Sequence, residues 1–373
     1  MRTALVHDWL TGMRGGEKSL EPICAAYPDA DLFTLLHVRG SVSPTVERRR
    51  IHTSLVQHLP LARRFYRHYL PIFPLAIEQF TFDPFDLVVS FSHCVAKSVV
   101  TPGRTRHLCY CFTPMRYAWD QFDAYFGPAR TGPIASAALG RVMARLARWD
   151  RGTAGRPNRY LAISQYVARR IRRYYNRDAT IVYPPVDTTF YHPDATTPGD
   201  HFLIVSALVP YKRIELAIEA ARRSGARLRI AGDGPERAAL ERGAGTLAGD
   251  SIEFLGRLSD EQVRDEYRRA AAVILPGEED FGIVPVEAQA CGRPVIALGR
   301  GGALETVIDG ETGVLVPEAS AEAFAAAFER TARTRFDRGR SRSHAEQFSA
   351  ARYVREFQAA VDETMAAPAD RRW

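Results

Sequence analysis

Short apolar runs alternate with helix-period stretches along almost the whole chain. The runs lie at 4–7, 31–35, 86–91, 107–112, 160–163 and 180–183, then at 202–206, 227–231, 251–255, 272–275, 294–298 and 313–316. This alternation predicts an α/β fold with doubly wound parallel sheets, because parallel neighbours need a crossover, usually helical, to return the chain to the same end. A length of 373 residues exceeds what one core of usual size accommodates, and an apolar fraction of 46% with 25% charged is ordinary globular composition. The stretch from Tyr183-Pro184-Pro185 to Pro198-Gly199-Asp200 is rich in Pro, Thr and Asp and has no periodicity. It reads as a linker between domains at 1–190 and 191–349. A last amphipathic stretch, 351–365, places Tyr353, Val354, Phe357 and Val361 on one face.

In open α/β sheets ligands bind beyond the carboxyl ends of the strands, so the segments following the runs are where chemistry is expected. The most informative is 276–287, which carries Glu279 and Glu287. Pro276-Gly277 ends the run before it, and residues 281–291 have helical spacing with Pro285 in the first turn. Glu279 is therefore placed in the loop and Glu287 about two turns further on. A carboxylate accepts two hydrogen bonds at once and suits neighbouring sugar hydroxyls, while the amides of Phe281, Gly282, Ile283 and Val284 open the helix and favour an anion. The competing explanation is that the acids 278–280 simply favour a helix N-terminus.

Glu279 and Glu287 resemble the E-x7-E signature of retaining glycosyltransferases of family 4. Other stretches follow that family's order, among them Arg14-Gly15-Gly16-Glu17, Ser92-His93-Cys94, Thr113-Pro114-Met115-Arg116-Tyr117-Ala118-Trp119, Val209-Pro210-Tyr211-Lys212-Arg213 and Gly301-Gly302. The stretches at 113–119 and 209–213 are most similar to the bacterial branch that transfers mannose from GDP-mannose during surface-polysaccharide assembly. The resemblance implies a GT-B fold, two Rossmann-like domains facing across a cleft, with the helix at 350–366 crossing back to the first domain. It implies a hexose passed with retention to a lipid-linked oligosaccharide, without a metal or other cofactor. It further implies that Glu279 and adjacent backbone hold the sugar hydroxyls, Glu287 the ribose diol, and Lys212 with Arg213 the diphosphate. The family's usual Gly-Arg-Leu before the lysine is replaced by Ser206-Ala207-Leu208, and its histidine before Thr-Pro by Phe112.

Several of these positions also carry a reading of their own. The chain has three lysines, Lys18, Lys97 and Lys212, against 47 arginines, which singles out each lysine as a place where a compact point charge is wanted. Lys212-Arg213 after a strand suits a leaving diphosphate. Gly15-Gly16 permits close backbone approach of donor or acceptor. His93 at a strand end is a candidate to orient an acceptor hydroxyl or accept its proton, with His107 a weaker one. Arg116 and Tyr117 combine a cation with an aromatic face, as acceptor binding requires. No zinc-type spacing, P-loop or Ser/His/Asp signature is present.

Charge divides unevenly, +12 over 1–190 and −5 over 191–373. The basic runs 48–50 and 62–73, the latter interleaved with aromatics, suggest docking on an anionic membrane surface. Five cysteines without metal or paired spacing suggest reduced thiols and a cytoplasmic setting, with no leader at the start and no bilayer-spanning run. The alternatives are a UDP-sugar donor, a sugar-nucleotide epimerase, or a basic nucleic-acid-binding module. The last is disfavoured because the strongest pocket motif is acidic and lies in the negative half.

Overall fold

In a computed structural model the structure describes residues 1–247 and 251–367. The chain forms two compact units, one of Met1–Pro184 with the chain from Tyr353 onward, the other Pro185–Arg352. The division falls at the Pro184-Pro185 bond, six residues ahead of the boundary read from composition.

Among the described residues the first unit holds seven strands: β1 (Thr3–His7), β2 (Asp31–Thr34), β3 (Arg50–Thr53), β4 (Leu87–Ser92), β5 (Arg106–Cys111), β6 (Arg159–Ala162) and β7 (Ala179–Ile181). They pair in parallel in the order β3-β2-β1-β4-β5-β6-β7. β1, β4 and nearly all of β5 are buried on both faces, as the continuous apolar runs require. The helix Ala350–Ala366 packs on this unit: the Tyr353 hydroxyl donates to Ser19 O at 3.1 Å, and the Phe357 ring stacks on Phe91 at 5.8 Å.

The basic run 48–50 is where sequence and structure part. Arg50 opens the edge strand β3, aligned with Asp31 of β2, and His52 stacks on Phe33 with centroids 4.5 Å apart. An edge strand needs only one buried face, so Arg50 and His52 do not disqualify it. In 62–73 the aromatics are mostly interior. Tyr66 and Phe73 close on Trp9, with ring centroids 5.1 and 6.1 Å away, leaving Leu61, Arg63, Arg64 and Phe65 on the surface.

The second unit holds β8 (His201–Val205), β9 (Arg227–Ala231), β10 (Ile252–Gly256), β11 (Ala272–Leu275), β12 (Val295–Leu298) and β13 (Gly313–Val316). These are parallel in the order β10-β9-β8-β11-β12-β13. The helices Ile214–Ser224 and Ala321–Arg333 turn Ile214, Ile218, Phe324 and Phe328 onto the sheet. All five cysteines are buried and free. Among the described residues no helix is long and apolar enough to cross a membrane.

Candidate functional site

In the second sheet the strand order reverses between the paired neighbours β8 and β11, so the connections leaving their carboxyl ends run to opposite sides, the place where open α/β sheets form a crevice. The loops that follow them approach closely. A Cβ at Gly277 would lie 2.5 Å from the Tyr211 carbonyl oxygen and 2.8 Å from Lys212 Cα, a distance no side chain tolerates. This contact brings Lys212 to Glu279, 67 residues away in sequence, and Lys212 Nζ donates to Glu279 Oε1 in an ion pair. The two side chains keep 18% and 13% of their surface exposed, enough to meet a ligand.

The loop after β12 completes the floor. A Cβ at Gly301 would stand 2.3 Å from the Glu279 carbonyl oxygen, and one at Gly302 equally close to Phe281 Cα. The Gly302 amide donates to Glu279 O at 2.8 Å. Three loops thus fix Glu279 from both sides. Gly282, with φ of 91°, precedes the helix Ile283–Ala290, which starts two residues later than its spacing suggested. Phe281 is buried against Phe348 as an anchor, while the amides of Gly282, Ile283 and Val284 belong to the opening turn.

Glu287 is buried, and Oε2 accepts the Tyr267 hydroxyl at 2.9 Å. The Tyr191 hydroxyl also bonds to this carboxylate, and both phenols are pushed up by burial and then by the Glu287 charge. Two hydroxyl donors from the protein therefore occupy about half of the acceptor positions a carboxylate offers. Arg213 turns away from the pair: its Nε donates to Glu215 Oε1 at 2.7 Å on the surface. Its backbone lies in the left-handed region with φ of 53°, a conformation that costs on the order of 1 kcal/mol or more for a non-glycine residue. The segment 231–235 is a packing turn, since a Cβ at Gly232 would stand 1.8 Å from the Ser206 carbonyl oxygen.

The first sheet reverses between β1 and β4, and the residue after β1 is Asp8, a site the sequence reading passed over. Asp8 Oδ2 accepts the amides of His93 at 2.7 Å and Cys94 at 2.9 Å, and Oδ1 those of Val95 at 2.7 Å and Ala96 at 2.8 Å. Burial raises its carboxyl while these amides pull against it. The ionised form is the one that fits, because an added proton would face an N–H. The detectable signal was an acid directly after an apolar run, in Val6-His7-Asp8-Trp9.

His93 Nδ1 lies 3.1 Å from Asp8 Oδ2, and the ring stands edge to face on Trp9 with centroids 4.3 Å apart. Burial, then Arg67, Arg116 and Arg14, push its pKa down to about 3. His93 is therefore a neutral imidazole among cations, suited to accepting a hydrogen bond and orienting a hydroxyl but not to taking up its proton. Between about pH 3 and 6.5 the unfolded chain holds a proton at this position that the folded chain lacks, so acidification through that range removes stability. We expect His93 and the fully buried His107, also pushed down to about 3 by burial, to show no titration in NMR from pH 8 to 5. A midpoint near 6.5 for either ring refutes this.

The remaining candidates are mainly structural in position. His107 lies in β5 with Nε2 2.8 Å from Ser90 Oγ, inside the core, so it does not substitute for the absent histidine. Phe112 fills that place, its centroid 6.2 Å from both His7 and His93. Packing is close at Gly16, where a Cβ would stand 3.2 Å from His7 Nε2, and Gly15 opens the helix Gly15–Ala26. Tyr117 packs on Tyr125 at 4.9 Å, whereas Arg116 is among the cations around His93. Among the described residues no cluster of three metal-ligating side chains is found.

Residues 194–348 match the family described as Glycosyl transferases group 1. An uncharacterized glycosyltransferase of Methanocaldococcus jannaschii is 30% identical over 161 residues, 42% of this chain and 45% of that protein. A D-inositol 3-phosphate glycosyltransferase of Geodermatophilus obscurus is 33% identical over 252 residues, 57% of this chain and 55% of that protein. The chain thus aligns with about half the length of these curated relatives. Among solved structures, a sucrose-phosphate synthase from Thermosynechococcus elongatus superposes with a TM-score of 0.73 at 19% identity, covering 98% of this chain and 100% of its own. Anabaena HepE in complex with UDP and glucose gives 0.70 at 17% identity, covering 97% and 100%. At these identities the likeness is one of fold, two Rossmann-like units of the GT-B kind.

Proposed function

We infer, from the premise that residues 194–348 form a domain of the Glycosyl transferases group 1 family, that the protein transfers a hexose from a nucleotide sugar. The observation that carries this reading is the Lys212–Glu279 ion pair at the reversal of the second sheet. Without ligand the lysine's charge is neutralised by Glu279. A donor's diphosphate competes for the ammonium, which frees the carboxylate to accept sugar hydroxyls, so one event creates both the anion site and the sugar site. As the bond to the anomeric carbon breaks, negative charge grows on the leaving diphosphate, where a fixed ammonium and the opening turn at 282–284 stabilise it. That arrangement supplies the charge stabilisation a metal would otherwise give, and we propose transfer without one. Retention then proceeds with the acceptor hydroxyl attacking the face from which the diphosphate departs, the new C–O bond replacing the bond to the leaving phosphate oxygen and the hydroxyl proton passing to an oxygen of that diphosphate. Arg213 takes part only if its bond to Glu215 opens, and Glu287, oriented by the tyrosine hydroxyls it accepts, holds a ribose diol.

We propose mannose from GDP-mannose as donor and a lipid-linked oligosaccharide as acceptor, on the motifs at 113–119 and 209–213. The first unit supports acceptor binding through His93 and Arg116, and the exposed Leu61, Arg63, Arg64 and Phe65 support peripheral contact with an anionic membrane on the cytoplasmic side. A second donor reading, a UDP-sugar, is favoured by the likeness to the HepE complex with UDP and glucose. Calorimetry with GDP and UDP separates the two, the first reading requiring at least tenfold tighter GDP. The full reading expects labelled mannose to pass from GDP-mannose to lipid-linked sugar in anionic vesicles with EDTA present. Tight UDP binding with no GDP binding overturns the donor, and absence of transfer from any nucleotide sugar overturns the activity.

A further inference from the structure

At the opposite end of the second sheet, the amino ends of β8, β11 and β12 border a cavity of about 550 Å³. Strands of four or five residues, at roughly 3.3 Å per residue, separate it from the crevice of Lys212 and Glu279 by about 13–17 Å. Its volume falls in the range that encloses small organic ligands.

Two arginines line it. Arg293 is only 2% exposed, yet its Nε is buried without a hydrogen-bond partner, and the Nε of Arg338 shares that deficit. The terminal nitrogens reach only carbonyl oxygens: Arg293 Nη2 that of Thr196 at 3.4 Å, Arg338 Nη2 those of Asp194 at 3.3 Å and Thr196 at 3.4 Å. Among the described residues neither forms an ion pair. The acids nearby are engaged elsewhere, Asp194 with Arg268 at 3.3 Å, Asp200 with Arg227 at 3.3 Å and Glu329 with Arg333 at 3.5 Å. Burial, then Arg338, pushes the Arg293 guanidinium down to about 10, and the Asp194 carboxylate, which Arg268 also holds, only partly offsets this. The remaining wall is apolar, with Phe202 and Phe328 stacked at 4.4 Å and Phe336 beside them.

Two neighbouring guanidiniums with unmet N–H donors, whose one nearby carboxylate Asp194 is already shared with Arg268, call for a further anion in a hollow of this size. We propose that the cavity binds a phosphomonoester carrying a flat apolar body, the phosphate bridging Arg293 and Arg338 and the body lying on the phenylalanines. Two planar forks match a dianionic phosphate better than a single carboxylate.

Calorimetry on the full chain tests this with phenyl phosphate, inorganic phosphate and benzoate. We expect phenyl phosphate to bind at least tenfold tighter than either of the others. Arg338→Gln, a half-buried position, should weaken that binding at least tenfold, as should Arg293→Gln where it folds. Lys212→Ala should leave it within twofold. Absence of saturable binding at millimolar phenyl phosphate overturns the proposal, as does binding unchanged in Arg338→Gln. Equal affinity for inorganic phosphate removes the apolar half of the site, and loss of binding in Lys212→Ala assigns the ligand to the donor crevice instead.

Discussion

Replacing Lys212 with alanine is expected to lower turnover 100- to 1,000-fold, on the order of 3–4 kcal/mol, with a much smaller change in the KM for donor. The lysine meets Glu279 before donor arrives, so part of its attraction for a ground-state diphosphate is spent on exchanging one anion for another. In the transition state of the proposed transfer the leaving diphosphate would carry additional charge that Glu279 does not match, and there the fixed ammonium would act at full strength. Steady-state transfer with the wild type and Lys212→Ala reads this directly. A loss under tenfold, about 1.4 kcal/mol, shows that the leaving group is stabilised elsewhere.

The second large effect is on stability. Lys97 is 1% exposed and its Nζ donates to Asp150 O at 2.7 Å, to Ser98 and Thr153 hydroxyls at 3.0 Å each, and pairs with Asp150 Oδ1 at 2.9 Å. Asp150, also fully buried, accepts Trp119 Nε1 at 2.7 Å and the Tyr175 hydroxyl at 2.8 Å on its other oxygen. Lys97→Ala leaves this carboxylate in the core without its cation, which typically costs about 3–5 kcal/mol. For a unit of this size that is about 6–20 °C in the melting temperature, followed by the fluorescence of Trp9, Trp119 and Trp149, all within the first unit. The charge-neutral double change Lys97→Met with Asp150→Asn should recover part of the loss. A drop below about 1 kcal/mol for Lys97→Ala shows that water reaches Asp150.

Much of this architecture was readable beforehand. Parallel strands buried on both faces must be continuous apolar runs, so the runs near 4–7, 86–91 and 272–275 announced themselves. β3 did not, because an edge strand carrying Arg50 and His52 has no such run and is recognised only by its pairing with β2. Scarcity marked Lys97 and Lys212 as special without distinguishing their roles. One is enclosed in a structural network and the other pairs at the loops of the sheet reversal, and the difference in burial, set for these two lysines by distant partners rather than by their own neighbours in sequence, separates them.

The chain's own order of residues determined the α/β class, the glycines that let loops after strands touch, and the identity of the acid and the lysine available at those loops. Tertiary structure alone decided that Lys212 reaches Glu279 while Arg213 turns to Glu215, that Glu287 is held by Tyr191 and Tyr267, and that Asp8 gathers four amides from residues more than eighty positions away. The physical reason is that periodicity reports which face of an element is buried, whereas contacts between distant loops depend on which strands become neighbours. That choice is made by the packing of the whole sheet.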